Sequence, residues 1–394
     1  MPVNSPPAGT LSNISRSKPF VPSKLSVYMQ CPLRYLLETE LAGGCCLPLG
    51  PPAIRGTAIH EVVARFQGQE EVAGLVIMDE LVSRIARLLD ADPAAAPLMH
   101  LASKEHGVEG VLLMDELVTA CQLVRVALRQ GAAAPSPAST RGRTRSTIGI
   151  RKFGIEIPLA APGLDMAGRV DRLSLAPDGT ILVTEFKSGH AFEKDGTPKL
   201  AVLMQLAAYG VMAKEKYRPK SVALEIIAPG QHWSAPMERG IEGPARELLA
   251  TMAKDIPRNT PLDTLALSRA GPHCWNCRTR PSCQRYSDAL YGASAGTSLV
   301  VSNRDIAGTV LETGGDQNYR MIRVKKRSGI TARITGVPAA LYPAFAAGRP
   351  LVAYSLGVHD IQGKASEPTN FFMVQPDVPQ LSAFESMLLA GTWF

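Results

Sequence analysis

The sequence predicts an α/β core followed by a small separate β domain, and three observations predict it. Apolar residues fall at helical spacing up to about residue 129. Strand-like alternation takes over from about 150 to 236, with one helix among the strands, and short β-like segments fill the chain after about 297. With 394 residues, 45% of them hydrophobic, the chain can hold two domains and at least one sizeable core.

The elements follow in order. Residues 1–22 are rich in Pro, Ser and Asn without periodicity and read as a disordered, mobile tail. Leu25, Tyr28, Met29, Leu33 and Leu36 then sit near helical spacing over 23–40, with Ser23 as a candidate N-cap and Pro32 as a break or bend. A helix starts at about Gly56, carrying Ile59, Val62, Val63 and Phe66 on one stripe, and further helices are expected over about 76–90 and 109–129. Residues 131–149, with their Ala, Pro, Ser and Gly content, read as a flexible connection, in which Arg141, Arg143 and Arg145 are either solvated loop charge or a DNA-contacting arm.

Strands are expected over about 150–158, 166–175 and 180–187, the last two joined by a hairpin at Asp178-Gly179. A helix over about 198–216, strands over 220–228 and 231–236 and a helix over 243–254 complete the core, which extends over 23–292 and ends in a cysteine loop. The segments over 293–394 read as a small β-rich domain, for which a barrel is one arrangement. No stretch matches a phosphate-binding GxxxxGK[ST] loop, so no nucleoside triphosphate hydrolysis is expected of the chain.

A formal charge of +7 and a pI near 9.0 permit a polyanionic partner without identifying one. The start lacks a secretory h-region, no apolar run is long enough for a membrane span, and only 7 Cys are present. A reducing, cytoplasmic setting without membrane contact is therefore expected, in which a tight cysteine cluster holds metal rather than disulfides.

The most informative stretch is 167–189, AGRVDRLSLAPDGTILVTEFKSG. Asp171 lies late in one strand, and Glu185 and Lys187 follow on the next. Residues two apart in a strand share a face, so the carboxylate and the amine project together while Phe186 points to the opposite side. A pairing that brings Asp171 near Glu185 puts two hard oxygen ligands and a cation at one spot. That set suits Mg²⁺ or Mn²⁺ and a metal-assisted phosphodiester hydrolysis, in which Lys187 orients water and offsets transition-state charge.

GRVD (168–171) followed by EFK (185–187) resembles the catalytic core of the PD-(D/E)XK nuclease superfamily. QLAAY (205–209) resembles the QxxxY motif of its RecB-like branch, and GTAIH (56–60) the GxxxH motif of that branch and of the CRISPR-associated exonucleases. The resemblance implies a central mixed sheet flanked by helices. It implies that His60, Asp171 and Glu185, with the Phe186 carbonyl, bind Mg²⁺ or Mn²⁺, that Lys187 is the catalytic cation, and that Gln205 and Tyr209 support them. The implied activity is cleavage of DNA, single-stranded or from an end.

The segment 24–35, KLSVYMQCPLRY, resembles the N-terminal cysteine segment of the iron-sulfur members of the same branch, which include the AddB-type nuclease domain. Cys274, Cys277 and Cys283 have the spacing of their downstream cysteines. The resemblance implies a clasp in which Cys31 and these three hold one [4Fe-4S] cluster, with Zn²⁺ as the alternative metal and His273 as a rival zinc ligand. Cys45, Cys46 and Cys121 have no partner at metal spacing.

Two rival readings come from other classes: a DNA-binding or scaffolding subunit of a helicase-nuclease or defence complex, and a zinc-binding module without catalysis. Recombination, repair, phage replication and defence are all compatible settings. DNA-contacting residues are not assigned from sequence. Trp275, Arg278, Arg280 and Arg285 read either as strand contacts or as solvated charge around a packing aromatic. Arg320, Arg323, Lys325, Lys326 and Arg327 form a basic strand that suits nucleic acid, a helicase or another subunit equally.

Overall fold

The computed structural model describes residues 13–41, 47, 51–66, 69, 71–91, 114–132, 154–290, 305–317, 319–326, 329, 331–338, 346–354, 357–358, 370–374, 387–390 and 392–393. The Arg141, Arg143 and Arg145 segment, Arg327, Cys45 and Cys46 lie outside these residues.

A five-stranded mixed sheet organises the first two thirds. Its strands are β2 (Gly154–Ala161), β3 (Met166–Leu175), β4 (Thr180–Phe186), β5 (Ser221–Ala228) and β6 (Gln231–Pro236), in that spatial order, with β1 (Asn13–Ile14) lying outside it. All neighbours are antiparallel except β4 and β5, which are parallel. A parallel pair needs a crossover, and the helix Leu200–Tyr217 supplies it.

The helices before that crossover are α1 (Leu25–Gln30), α2 (Pro32–Glu40), α3 (Pro51–Arg65), α4 (Gly74–Asp90) and α5 (Met114–Ala132); the crossover is α6, and α7 (Arg239–Asp255) follows. Pro32 breaks the first helical segment, as its missing N–H dictates, and becomes the first residue of α2. Ser23 does not cap: the chain enters α1 through a 3₁₀ turn over Pro22–Lys24 with no side-chain cap bond. α3 begins at Pro51, earlier than the stripe around Ile59 indicates.

Two apolar cores flank the sheet. One joins Ile181 and Val183 of β4 to α1, α2, α6 and α7, through residues such as Tyr35, Met204, Leu206 and Leu249. The other joins Phe186, Ile155 and Ile227 to α3, α4 and α5, through Ile59, Val62, Leu81, Ile85 and Val124.

The expected tail is corrected over residues 13–22. β1 pairs antiparallel with β7 (Leu262–Asp263). Arg16 is 3% exposed; its Nε donates to the Ile256 carbonyl at 3.0 Å, and its Nη2 pairs with Asp165 at 2.8 Å. Its guanidinium stacks 3.8 Å over the ring of buried Phe20. A stretch that reads as polar is therefore anchored by one apolar ring and one satisfied buried charge.

The C-terminal segment forms an eight-stranded sheet in the order β12-β15-β10-β9-β8-β11-β13-β14. Its strands are β8 (Ile306–Gly315), β9 (Tyr319–Lys326), β10 (Thr331–Pro338), β11 (Pro350–Tyr354), β12 (Gly357–Val358), β13 (Asn370–Val374), β14 (Met387–Ala390) and β15 (Thr392–Trp393). Ala307, Val352 and Tyr354 join the second core, so this sheet packs on the same apolar body as α3. A buried ion pair fixes the junction. Arg280 Nε and Nη2 meet Asp305 Oδ2 and Oδ1 at 2.6 and 3.1 Å, Tyr286 donates to Asp305 at 2.7 Å, and the Arg280 guanidinium lies 5.5 Å from the Tyr354 ring. No helix among the described residues is long and apolar enough to cross a membrane.

Candidate active site

The C-terminal end of β4 and the middle of β3 beside it build the site. Asp171 is 7% exposed, and its Oδ2 accepts the Phe186 N–H at 2.7 Å, which ties the carboxylate to the end of β4. Phe186 itself packs into the second core. The Lys187 N–H donates to the Ile227 carbonyl of β5 at 2.9 Å, so the peptide edge of Phe186 is turned the other way, toward β3.

Glu185, Lys187 and Gln205 close a triangle. Glu185 Oε1 accepts from Lys187 Nζ at 2.8 Å and from Gln205 Nε2 at 2.6 Å, while Gln205 Oε1 accepts from Lys187 Nζ at 3.0 Å. Each group thus orients the other two, and Gln205 reaches them because α6 packs on the face of β4 that carries Glu185. The other oxygen, Glu185 Oε2, is buried and meets no hydrogen-bond partner among the described residues.

His60 comes from α3, with Nδ1 at 3.0 Å from Glu156 Oε1 and 3.3 Å from Asp171 Oδ1. Glu156 is the residue that sequence reasoning missed. It falls between the pairs Ile155↔Arg172 and Ile157↔Val170, which sets it across from Asp171. Its φ of 52° is in the left-handed region, a strained state for glutamate and one that collects at functional sites. In the sequence, Glu156 reads as the polar member of an alternating strand; the register of the β2–β3 pair is the signal that exposes it. Among the described residues, His60, Glu156 and Asp171 are the one group of three or more metal-binding side chains with ligand atoms all within 4.8 Å of one another.

The electrostatics match this crowding. Burial raises the Asp171 carboxyl to about 8, with the neighbouring Glu185 charge adding to it and His60 opposing. Burial pushes the His60 ring down, but Asp171 and Glu156 outweigh it and hold it at about 9. Burial likewise disfavours the Lys187 cation, and Glu185 more than compensates, so its pKa is raised. The donor set that lies within reach of one ion, the His60 imidazole and the Glu156 and Asp171 carboxylates, fits a hard divalent metal; Glu185 lies outside that group, and its buried Oε2 is an acceptor left unsatisfied among the described residues.

Tyr209 does not touch the carboxylates. Its hydroxyl donates to the Arg169 carbonyl at 2.7 Å, two residues before Asp171. Its ring lies against Gly168, where an added Cβ would sit 3.2 Å from Tyr209 and 2.9 Å from Pro22. The glycine of GRVD is thus a close-approach position, and Tyr209 steadies the strand that presents Asp171.

The model of the PD-(D/E)XK nuclease superfamily matches residues 19–284. The chain belongs to that superfamily. The match covers this site entirely and stops before the C-terminal sheet. No curated protein matches the nuclease at a significant level. The crystal structure of SSO0001 is matched at a TM-score of 0.29 and 11% identity, covering 73% of this chain and 90% of that one, and a likeness at that level carries no argument.

The cysteines of the nuclease lie apart from the acidic site. Cys31, between α1 and α2, lines one cavity together with Cys274, Cys277 and Cys283. No three of their sulfurs lie within 4.8 Å of one another. The Arg269 N–H lies 3.5 Å from Cys31 Sγ, and Cys274 Sγ lies 3.8 Å from the Arg269 carbonyl. Burial raises the thiols of Cys274 and Cys277 and carries that of Cys283 to about 12. His273 Nε2 is 3.1 Å from the Arg269 carbonyl. Cys121 is buried on α5, with its Sγ 3.9 Å from the Gly74 carbonyl.

Of the loop's other residues, Arg278 donates to the Leu47 carbonyl, Arg285 to Ser268 and Leu265, and Trp275 is 50% exposed.

Proposed function

We propose that the chain is a metal-dependent deoxyribonuclease of the RecB-like branch, acting in the cytoplasm as an exonuclease on single-stranded DNA or DNA ends, in repair, recombination or defence. The observation that carries this reading is the cluster of His60, Glu156 and Asp171, with Glu185 on the adjacent strand holding Lys187 through Oε1 and leaving a buried Oε2 without a partner among the described residues. Mg²⁺ or Mn²⁺ would be held by His60, Asp171, Glu185 and the Phe186 carbonyl, with Glu156 beside them. When bound, such a cation polarises a phosphate and acidifies water.

The chain's own residues do the rest. Lys187 is held on Glu185 and Gln205, so its ammonium is pre-oriented toward the reacting phosphate and needs no rearrangement to offset its charge. Gln205 fixes both partners, and Tyr209 holds the backbone of β3 in register. A helicase or another subunit of a nuclease complex would supply any motor.

The same proposal assigns Cys31, Cys274, Cys277 and Cys283 to a [4Fe-4S] cluster. The cavity they share supports it, whereas their separation does not, since no three of the sulfurs lie within 4.8 Å of one another. Ligand binding must release protons from thiols that burial keeps neutral.

End-labelled linear and circular DNA, single-stranded and duplex, incubated with Mn²⁺, tests the activity. Wild type should degrade the linear forms, and the Glu185→Ala/Lys187→Ala variant should leave them intact; equal degradation by both would end the nuclease reading. For the cluster, anaerobically purified Cys31→Ala should lose iron and thermal stability as fully as Cys277→Ala, with Cys121→Ala unaffected. Stoichiometric zinc without iron or sulfide in the wild type would replace the cluster by zinc.

A further inference from the structure

The C-terminal sheet lies outside the matched family region, and its register divides one of its faces into two halves. Val352 of β11 pairs with Ala307 of β8, and both lie in the second core with Tyr354. Thr309, two residues beyond Ala307, shares its face and pairs with Lys325 of β9. Lys325 in turn pairs with Thr331 of β10, and Arg323 with Arg333. The face that is apolar and docked on the nuclease core at β11 therefore continues, two and three strands on, as Arg323, Lys325 and Arg333, all exposed. At about 4.8 Å per strand, Arg333 stands about 14 Å beyond the docked strand. The opposite face is apolar throughout this region: Ile322, Val324, Ala332 and Ile334 are at most 1% exposed.

Arg323 and Arg333 are direct cross-strand neighbours, an arrangement that costs stability because like charges face each other across the pair. Glu312 answers one of them, with Oε1 at 2.9 Å from Arg323 Nη1. Lys325 and Arg333 have no salt bridge to a described residue. The fold gains nothing from this ladder by itself, whereas a polyanion laid across it would offset the repulsion. Arg323 and Lys325 are about 7 Å apart along the strand, a spacing comparable to the phosphate repeat of an extended nucleic-acid strand.

We infer that this ledge is a binding surface for the phosphodiester backbone of nucleic acid, holding substrate beside the nuclease core. The choice of nucleic acid over an acidic protein rests on the nuclease reading, and on the rigid joint that the Arg280–Asp305 pair makes between sheet and core. Thr309 and Thr331 flank the cations with hydroxyls that suit phosphate oxygens.

Binding of a fluorescein-labelled single-stranded oligonucleotide to the full chain, followed by anisotropy in EDTA across a salt series, tests the surface without cleavage. Arg323→Ala/Lys325→Ala/Arg333→Ala should weaken binding by about tenfold or more and reduce the slope of log K against log salt by about 2, at about 0.7 for each phosphate left without its cation. Glu312→Gln, which removes the one paired carboxylate, should tighten binding. A folded triple variant with unchanged affinity and slope would overturn the inference, and so would equal loss of binding to polyglutamate. If the triple variant does not fold, Arg333→Gln alone carries the test through the same slope. The two readings fail separately: intact cleavage by wild type with unchanged binding by the variants removes the ledge alone, and reduced variant binding without any wild-type cleavage removes the nuclease alone.

Discussion

Glu156 shows how a single residue can carry strain that the rest of the fold does not need. With φ at 52° it occupies a region that costs a non-glycine residue about 1 kcal/mol or more. Glu156→Gly should therefore raise the urea midpoint, corresponding to about 1 kcal/mol, when measured in EDTA. The same change should lower metal-dependent cleavage by about tenfold or more, because it removes the carboxylate that holds His60. A variant that gains stability and keeps full activity would show that the strain serves no part of the site. Asp171, Glu185 and Lys187 were legible because their chemistry is written in adjacent strands at fixed spacing, and strand alternation alone predicts that Glu185 and Lys187 meet. Glu156 was not legible, since its role exists only in a cross-strand register and a backbone angle. Arg16 was missed for a related reason: a buried arginine is indistinguishable from a solvated one until Asp165 and the Ile256 carbonyl are placed around it.

The short helix α2 shows how charge secures an element that propensity alone would leave marginal. Its Glu38 side chain is 2% exposed and bonded to Lys24 at 2.5 Å and to Arg34 at 2.8 Å. Burial pushes the Glu38 carboxyl up, but Lys24 and Arg34 outweigh it and hold it below the usual carboxylate range. A carboxyl depressed in the folded state contributes stability that is present above the unfolded pKa of about 4.3 and is lost as pH falls through the folded value. Glu38→Gln should thus be less stable than wild type at neutral pH, and the gap should narrow as pH is lowered below about 4 in urea titrations. A gap independent of pH would mean that packing, not charge, is what Glu38 provides. At this scale the break at Pro32, the β3–β4 hairpin and the crossover α6 were all readable from local chemistry. The start of α3 and the pairing of β1 were not, because both are set by contacts with distant elements.

For the whole molecule, the Arg280–Asp305 pair is the joint between the nuclease core and the C-terminal sheet. Its side chains are 4% and 0% exposed, so removing one partner strands a buried charge at a cost of about 3–5 kcal/mol. Asp305→Ala should expose the C-terminal sheet to limited proteolysis while the five-stranded sheet and the helices packed on it stay protected, and Arg280→Met/Asp305→Leu should restore much of the resistance. Simultaneous loss of both parts in Asp305→Ala would show that the two unfold as one unit.

The pairing of β1 with β7 has a consequence in time as well as in space. Asn13 and Ile14 leave the ribosome early, yet their partners Leu262 and Asp263 are synthesised some 250 residues later. Until then the N-terminal strand has no edge to join, and Arg16, Phe20 and the helices behind them lack their final seat. Contacts of such sequence separation form late because loop closure must precede them. A nascent chain that already carries every side chain of the candidate site is therefore not yet closed, and the ribosome must finish the core before the fold can be fully assembled.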